Sequence, residues 1–179
     1  MAKDKQLIRK ELLANRASLS QEEITLRSQR IVEQLWQIIA TNDFEVVHTF
    51  LPIGNEVNTW LLVEQALTNG VKVVIPKTLG KLKLKHLLLE DTQGMVEGKF
   101  GTLYPEKEME YTGAYDLIVV PGLAFDQYHH RIGYGAGYYD VFLKEHPGSL
   151  KVGVGFDFQL VDALPVEAHD VPLDKIILG

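Results

Sequence analysis

Apolar and polar positions along this chain follow helical periods in some stretches and strand-like runs in others. Between Lys3 and Arg16, Leu7, Ile8, Leu12 and Leu13 recur at helical spacing and predict a first helix. Ser20-Gln21-Glu22-Glu23 then has the form of a capping box, in which a hydroxyl and a carboxylate satisfy each other's free backbone N–H groups. It predicts a second helix to about Thr41, with Ile24, Ile31, Leu35 and Ile38 turned inward. Glu45 to Leu51 reads as a strand through Val46, Val47 and Phe50. Asn58-Thr59 caps a helix through Trp60, Leu61, Val63, Ala66 and Leu67 that stops at Asn69-Gly70, and Val71 to Ile75 makes the next strand. Strand, helix and strand in that order form a βαβ unit, which commits both strands to one parallel sheet with a right-handed crossover.

The later pattern extends the same sheet. Lys81 to Glu90 alternates Leu82, Leu84, His86 and Leu88 with polar neighbours, as a half-buried edge strand does. Leu117-Ile118-Val119-Val120 is an apolar run suited to a central strand, ended by Pro121-Gly122. A helix from about Gly137 to Glu145, a strand over Lys151 to Phe156 and a last short strand at Ile176-Ile177-Leu178 complete the reading. There are no repeats, low-complexity tracts or linkers. The expected fold is α/β: a single-domain three-layer sandwich with a mostly parallel central sheet flanked by helices.

Composition narrows the chemistry. With 46% hydrophobic and 23% charged residues in 179, the chain has enough apolar material for one core. A net charge of -6 leaves no general basic surface for a nucleic-acid backbone. The absence of cysteine removes thiol nucleophiles, disulfides and thiolate metal sites, so a metal would sit on oxygen or histidine ligands, with magnesium the natural candidate. The N-terminal residues are polar with no signal-like apolar run, and no later segment reaches membrane-spanning length. A cytoplasmic protein without membrane or nucleic-acid partners, and a monomer, is the expectation.

The densest chemistry lies in Arg131-Ile132-Gly133-Tyr134-Gly135-Ala136-Gly137-Tyr138-Tyr139-Asp140, beyond the carboxyl end of the Leu117–Val120 strand, where open α/β sheets place ligands. Three glycines at alternate positions let backbone lie close to a ligand, and N–H groups opening into a helix suit phosphate oxygens. The string lacks the Lys-[Ser/Thr] ending of a P-loop and the spacing of the dinucleotide fingerprint, so local chemistry leaves a structural turn with aromatic packing equally open. Lys5 and Arg9 stand at i and i+4 and would share a helix face. On spacing alone such a pair is more often a solvated basic edge. Glu56 sits just before a helix, where a carboxylate also suits the helix dipole, and Asp140 and Asp170 read equally as surface carboxylates or caps. Phe125, Phe156 and Phe158 are read as core, and the adjacent His129 and His130 as exposed loop residues.

Pro121-Gly122-Leu123-Ala124-Phe125-Asp126 followed by the Arg131–Asp140 loop resembles the nucleotide and folate loop of the 5-formyltetrahydrofolate cyclo-ligase family. The resemblance covers nearly the whole chain. Lys5 to Arg9 is similar to the family's Lys-x-x-x-Arg, Asn55-Glu56-Val57-Asn58-Thr59 to its Glu-Val-Asp-Thr segment, and Asp157-Phe158-Gln159-Leu160, Leu164-Pro165 and His169-Asp170 to its closing pattern.

That resemblance implies ATP- and magnesium-dependent cyclisation of 5-formyltetrahydrofolate to 5,10-methenyltetrahydrofolate with release of ADP and phosphate, a step of one-carbon metabolism. It implies that Lys5, Arg9, Arg131, Ile132, Gly133, Tyr134, Gly135, Ala136, Gly137 and Tyr139 hold ATP. Leu51, Glu56 and Tyr138 would contact the folate, Arg131 and Tyr138 act in catalysis, and Asp140 and Asp170 hold Mg2+. Transfer of the γ-phosphoryl group to the formyl oxygen would make a leaving group that N10 displaces, with no covalent enzyme nucleophile.

The chain departs from the family at His129, where a glycine is usual, at Asn58 for aspartate, at Tyr104 for a glutamate before Pro105, and at Leu178-Gly179. Two other classes stay open: a non-catalytic folate- or nucleotide-binding module, and a phosphosugar isomerase-like enzyme on a similar sheet.

Overall fold

A computed structural model describes residues 4–179, so the expected helix start at Lys3 lies outside the described residues. The elements in chain order are α1 (Lys5–Ala17), α2 (Gln21–Thr41), β1 (Val46–His48), α3 (Trp60–Thr68), β2 (Lys72–Gly80) and β3 (Lys83–Leu89). They continue with β4 (Met95–Glu97), β5 (Leu103–Pro105), β6 (Leu117–Pro121), β7 (Ala124–Asp126), β8 (Arg131–Ile132), α4 (Tyr138–Glu145), β9 (Leu150–Gly155), β10 (Leu160–Val161) and β11 (Lys175–Leu178). None of the described helices is long and apolar enough to cross a membrane.

Local chemistry sets the helix starts. The Ser20 hydroxyl accepts from Glu23 N–H, and the Glu23 carboxylate accepts from Ser20 N–H at 2.8 Å, closing the capping box. At α3, Asn58 Oδ1 accepts from Trp60 N–H at 3.2 Å, while the Thr59 hydroxyl donates to the Phe50 carbonyl at 2.6 Å. Asparagine at position 58 therefore does a capping job that aspartate would also do.

The main sheet has six strands in the order β11-β9-β6-β1-β2-β3, parallel throughout except for β3, which runs antiparallel to β2 at one edge. Alternation along the strands splits the core in two. Val47, Leu117, Val119, Val152 and Val154 face α2 through Ile31, Leu35 and Ile39, and Val73 and Ile75 face Val63 and Ala66 of α3. On the opposite side Val74, Ile118 and Val120 meet Phe142 and Leu143 of α4. The result is the expected α/β three-layer sandwich, each fully buried aliphatic side chain contributing roughly 1.5–3 kcal/mol.

Several expectations shift. On α2, Ile39 is buried and Ile38 only half-buried, while on α1, Ile8 and Leu12 are buried but Leu7 and Leu13 are exposed. Ile8 and Leu12 pack on Ala124 and Ile132 of a small second sheet, β10-β7-β8, which the sequence reading leaves as loop. The edge strand β3 is covered on both faces: Leu87 and Leu89 are buried towards α3, and Leu84, His86 and Leu88 pack towards α4. There His86 Nδ1 lies 3.1 Å from Nε2 of buried His48, and burial pushes the His86 ring down to about 4, so both rings stay neutral.

His129, in the turn between β7 and β8, takes the left-handed conformation with φ +67, although it is not glycine. Its Nδ1 lies 3.2 Å from the Leu173 carbonyl, a contact that offsets part of the strain. His129→Gly removes a cost of about 1–2 kcal/mol and loses that one contact, so a net gain of about 0.5–1 kcal/mol is expected in urea unfolding. A loss of stability would show that the side-chain contact outweighs the strain.

Candidate active site

The carboxyl ends of the parallel strands β1, β2 and β6 lie along one edge of the sheet, and the chain leaves β1 and β6 on opposite sides of a crevice. The loop after β1 carries Leu51 and Glu56, and the segment after β6 leads through β7 and β8 to the glycine loop. A cavity of about 520 Å3 fills this crevice. It is lined by every residue to which the family resemblance assigns a site role: Lys5, Arg9, Leu51, Glu56, the whole of Arg131 to Asp140, and Asp170. The departures His129, Asn58, Tyr104 and Leu178-Gly179 are not among the lining residues.

Helix α1 reaches the cavity because Ile8 and Leu12 anchor it to the small sheet, which leaves Lys5 and Arg9 on the flank nearest the glycine loop. Arg9 Nε donates to the Gly133 carbonyl at 2.9 Å. Gly135 has φ +103, a conformation that favours glycine, and a Cβ there would lie 3.3 Å from the Arg9 guanidinium carbon and crowd its approach. Lys5 Nζ pairs with Asp170 Oδ2 at 3.1 Å and Glu167 Oε1 at 3.0 Å. Burial lowers the Lys5 ammonium, but its bonds to these two carboxylates outweigh that and raise it. Asp170 is raised by burial and lowered more by the Glu167 N–H and by Lys5, so it stays ionised.

Arg131 has an enclosed guanidinium, its side chain 5% exposed. Its Nη2 donates to Asp140 Oδ1 at 2.9 Å, its guanidinium lies over the Tyr139 ring at 5.7 Å, and its Nε has no partner. Burial pulls the guanidinium below its ordinary value, opposed by the charges of Asp140 and Asp170. An arginine with an unmatched buried donor on a cavity wall is suited to an anionic oxygen. Gly137, with φ +75, turns the chain into α4, so that Tyr138, Tyr139 and Asp140 form its first turn on the same wall.

Glu56, from the loop after β1, also lines the cavity. It is 6% exposed, accepts from Ile53 N–H at 2.9 Å on Oε2, and from the Tyr134 hydroxyl at 2.8 Å on Oε1. Burial raises its carboxyl, while Ile53, Arg16 and Tyr134 pull it back. The Tyr134 phenol is pushed up to about 12 by burial and by the Glu56 charge, so it remains a proton donor at neutral pH.

Sequence reasoning missed Arg16, which donates to the Tyr134 hydroxyl, and the β2, β3 and hairpin residues Thr78, Leu84, Phe100, Thr102 and Leu103 on the cavity wall. Arg16 had a legible signal: it stands two helical turns beyond Arg9, on the face shared by Lys5 and Arg9. The hairpin residues had none, since only the folding of β4–β5 onto the sheet edge brings them to the cavity.

For a metal, no group of three metal-ligating side chains converges among the described residues. Asp140 and Asp170 do face the same cavity, with Arg131 within electrostatic reach of both. Two carboxylates fit a magnesium site that phosphate oxygens and water complete.

Comparison with known proteins finds the 5-formyltetrahydrofolate cyclo-ligase family model matching residues 1–179. The 5-formyltetrahydrofolate cyclo-ligase of Escherichia coli K12 is 31% identical over 139 residues, spanning 73% of this chain and 76% of that protein. The Saccharomyces cerevisiae 5-formyltetrahydrofolate cyclo-ligase is 28% identical over 200 residues, spanning 98% and 95%. Among solved structures, the 5,10-methenyltetrahydrofolate synthetase of Aquifex aeolicus superposes with a TM-score of 0.85 at 31% identity, covering 97% of this chain and 89% of that one.

Proposed function

The chain belongs to the 5-formyltetrahydrofolate cyclo-ligase family and is an enzyme of that kind, and on that premise we propose how its cavity divides the work. ATP lies along the glycine loop, with its phosphates towards Lys5, Arg9, Arg131 and the N–H groups that open α4. The folate lies between Leu51, Glu56 and Tyr138. The observation that carries this division is the placement of one buried, partly unmatched cation and one buried carboxylate, from the loops after β6 and β1, in the lining of a single cavity.

A formamide oxygen is a poor leaving group as hydroxide. The cavity aligns the γ-phosphoryl group with that oxygen, and its transfer gives an imidate phosphate whose carbon N10 attacks, closing the ring as phosphate departs and the N10 proton is lost. Such transfer depends on alignment and on positive charge around the moving group, which Arg131, Lys5 and Arg9 supply. Asp140 and Asp170 would hold Mg2+, which when bound neutralises phosphate charge. Lys5, now paired with Asp170, would turn towards the phosphates as the anion enters, while Arg131 stays held by Asp140 and the Tyr139 ring.

The test is absorbance of methenyl-folate formed from 5-formyltetrahydrofolate, with and without ATP and magnesium. Formation that needs both supports the reading, and formation without ATP overturns it. Glu56→Ala is expected to raise the folate KM about 10- to 100-fold, as loss of a charged hydrogen bond does, with the ATP KM much less affected. An equal rise in both constants would count against a folate contact.

A further inference from the structure

Arg16 lies outside the cavity wall and is almost enclosed, its side chain 7% exposed. It nevertheless touches two separate segments, the glycine loop and the loop after β1. Its Nη2 donates to the Tyr134 hydroxyl on the glycine loop, its Nη1 lies 4.0 Å from Glu56 Oε1, and its backbone carbonyl accepts from Asn55 Nδ2 at 3.2 Å. A guanidinium can only donate, so the Tyr134 oxygen must accept from it, and the single phenolic proton is then free to point only outward. It points at Glu56 Oε1, 2.8 Å away. The chain Arg16 to Tyr134 to Glu56 thus has one direction, and it links the last turn of α1 to both halves of the cavity.

We propose that Arg16 is a positioning residue for the substrate side of the cavity: acting through the Tyr134 hydroxyl, it keeps the Glu56 carboxylate charged and aimed, and ties it to the glycine loop. The inference rests on the reading of Glu56 as the folate contact. The ionisable groups acting on Glu56 are Arg16 from α1, Tyr134 from the glycine loop and Tyr139 from the first turn of α4. Burial holds both phenols neutral, so Arg16 is the cation among them that offsets the desolvation of the carboxylate. Without it, the carboxylate would take up a proton at higher pH, and the Tyr134 hydroxyl would be free to turn away.

The test is the pH dependence of kcat/KM for 5-formyltetrahydrofolate, alongside both Michaelis constants, in Arg16→Met, Tyr134→Phe, Glu56→Gln and the Arg16→Met/Glu56→Gln double variant. Arg16→Met is expected to raise the folate KM about tenfold, leave the ATP KM within about twofold, and move the acid limb of the profile up by about one pH unit. Tyr134→Phe, whose ring is half-exposed, should change the folate KM and the limb in the same direction. In the double variant the Arg16 effect should shrink to about twofold or less, because the charge it serves is gone. An unmoved acid limb in Arg16→Met, or losses that multiply in the double variant, overturns the proposal and leaves Arg16 a packing residue. Should Arg16→Met not fold, an unmoved limb and folate KM in Tyr134→Phe overturn it equally. A Glu56→Gln enzyme with an unchanged folate KM would instead sink the reading of Glu56 itself, a separate outcome.

Discussion

Arg131→Ala is expected to lower the rate of ATP-dependent methenyl-folate formation about a thousand-fold, the largest functional effect of any single change in this cavity. The guanidinium is fixed by three constraints: its bond to Asp140, its position over the Tyr139 ring, and enclosure that leaves it 5% exposed. A charge so held costs no reorganisation when negative charge builds up on a transferring phosphoryl group, and the low-dielectric setting makes it count for more than in water. Its Nε is buried without a partner, so the guanidinium keeps unspent hydrogen-bonding capacity at the cavity wall. Removal also strips Asp140 of its partner, so a stability cost of about 1–3 kcal/mol should accompany the kinetic loss. Arg131→Lys separates the two effects: it keeps the charge but not the planar fork, and should recover stability more than turnover. Turnover unchanged in a folded Arg131→Ala protein would remove Arg131 from the reaction.

The largest stability effect is expected at Asp126. This aspartate is fully buried at the end of β7 and serves four donors. Oδ1 accepts from the N–H groups of Tyr128 at 3.0 Å and His130 at 2.9 Å, while Oδ2 accepts from Leu164 N–H at 3.0 Å and His130 Nδ1 at 3.1 Å. Asp126→Ala strands these donors and should cost about 3–5 kcal/mol, or about 10 °C in Tm. The change would reach the cavity too, because the Asp126 turn sets the start of β8 and hence Arg131.

Burial alone would raise the Asp126 carboxyl, but the bonds from His130, Leu164 and Tyr128 outweigh it and hold the group below its ordinary value. With the folded value below the unfolded one, the unfolded chain takes up the proton first as pH falls. The stabilisation is therefore complete above about pH 3.9 and is lost as pH drops from there through the folded value. Denaturation measured across that window should show a flatter profile in Asp126→Ala than in the parent. Parallel profiles would assign the acid sensitivity elsewhere.

The elements that were legible in the sequence are those whose stability is local. The Ser20–Glu23 capping box, the apolar run at Leu117–Val120 and the Asn69-Gly70 stop each declare themselves within a few residues, because capping, periodicity and chain reversal act over that range. The β7–β8–β10 sheet and the β4–β5 hairpin were not legible. Their strands are two or three residues long and form only against partners distant in the chain, such as Phe125 beside Leu160. His129 illustrates the same limit, since its left-handed backbone is imposed by the turn and by Leu173.

For the cavity, the sequence by itself determined the family, the α/β layering and the charged and glycine-loop residues of the walls, because each is carried by a contiguous motif or a local period. Only the tertiary structure decided which of those residues face one another. Arg131 meets Asp140, Lys5 meets Asp170, and Glu56 receives a proton bond from Tyr134, itself held by Arg16. The physical reason is one of range: a hydrogen bond between residues 78 positions apart depends on where the sheet carries both loops, and no local propensity encodes that distance.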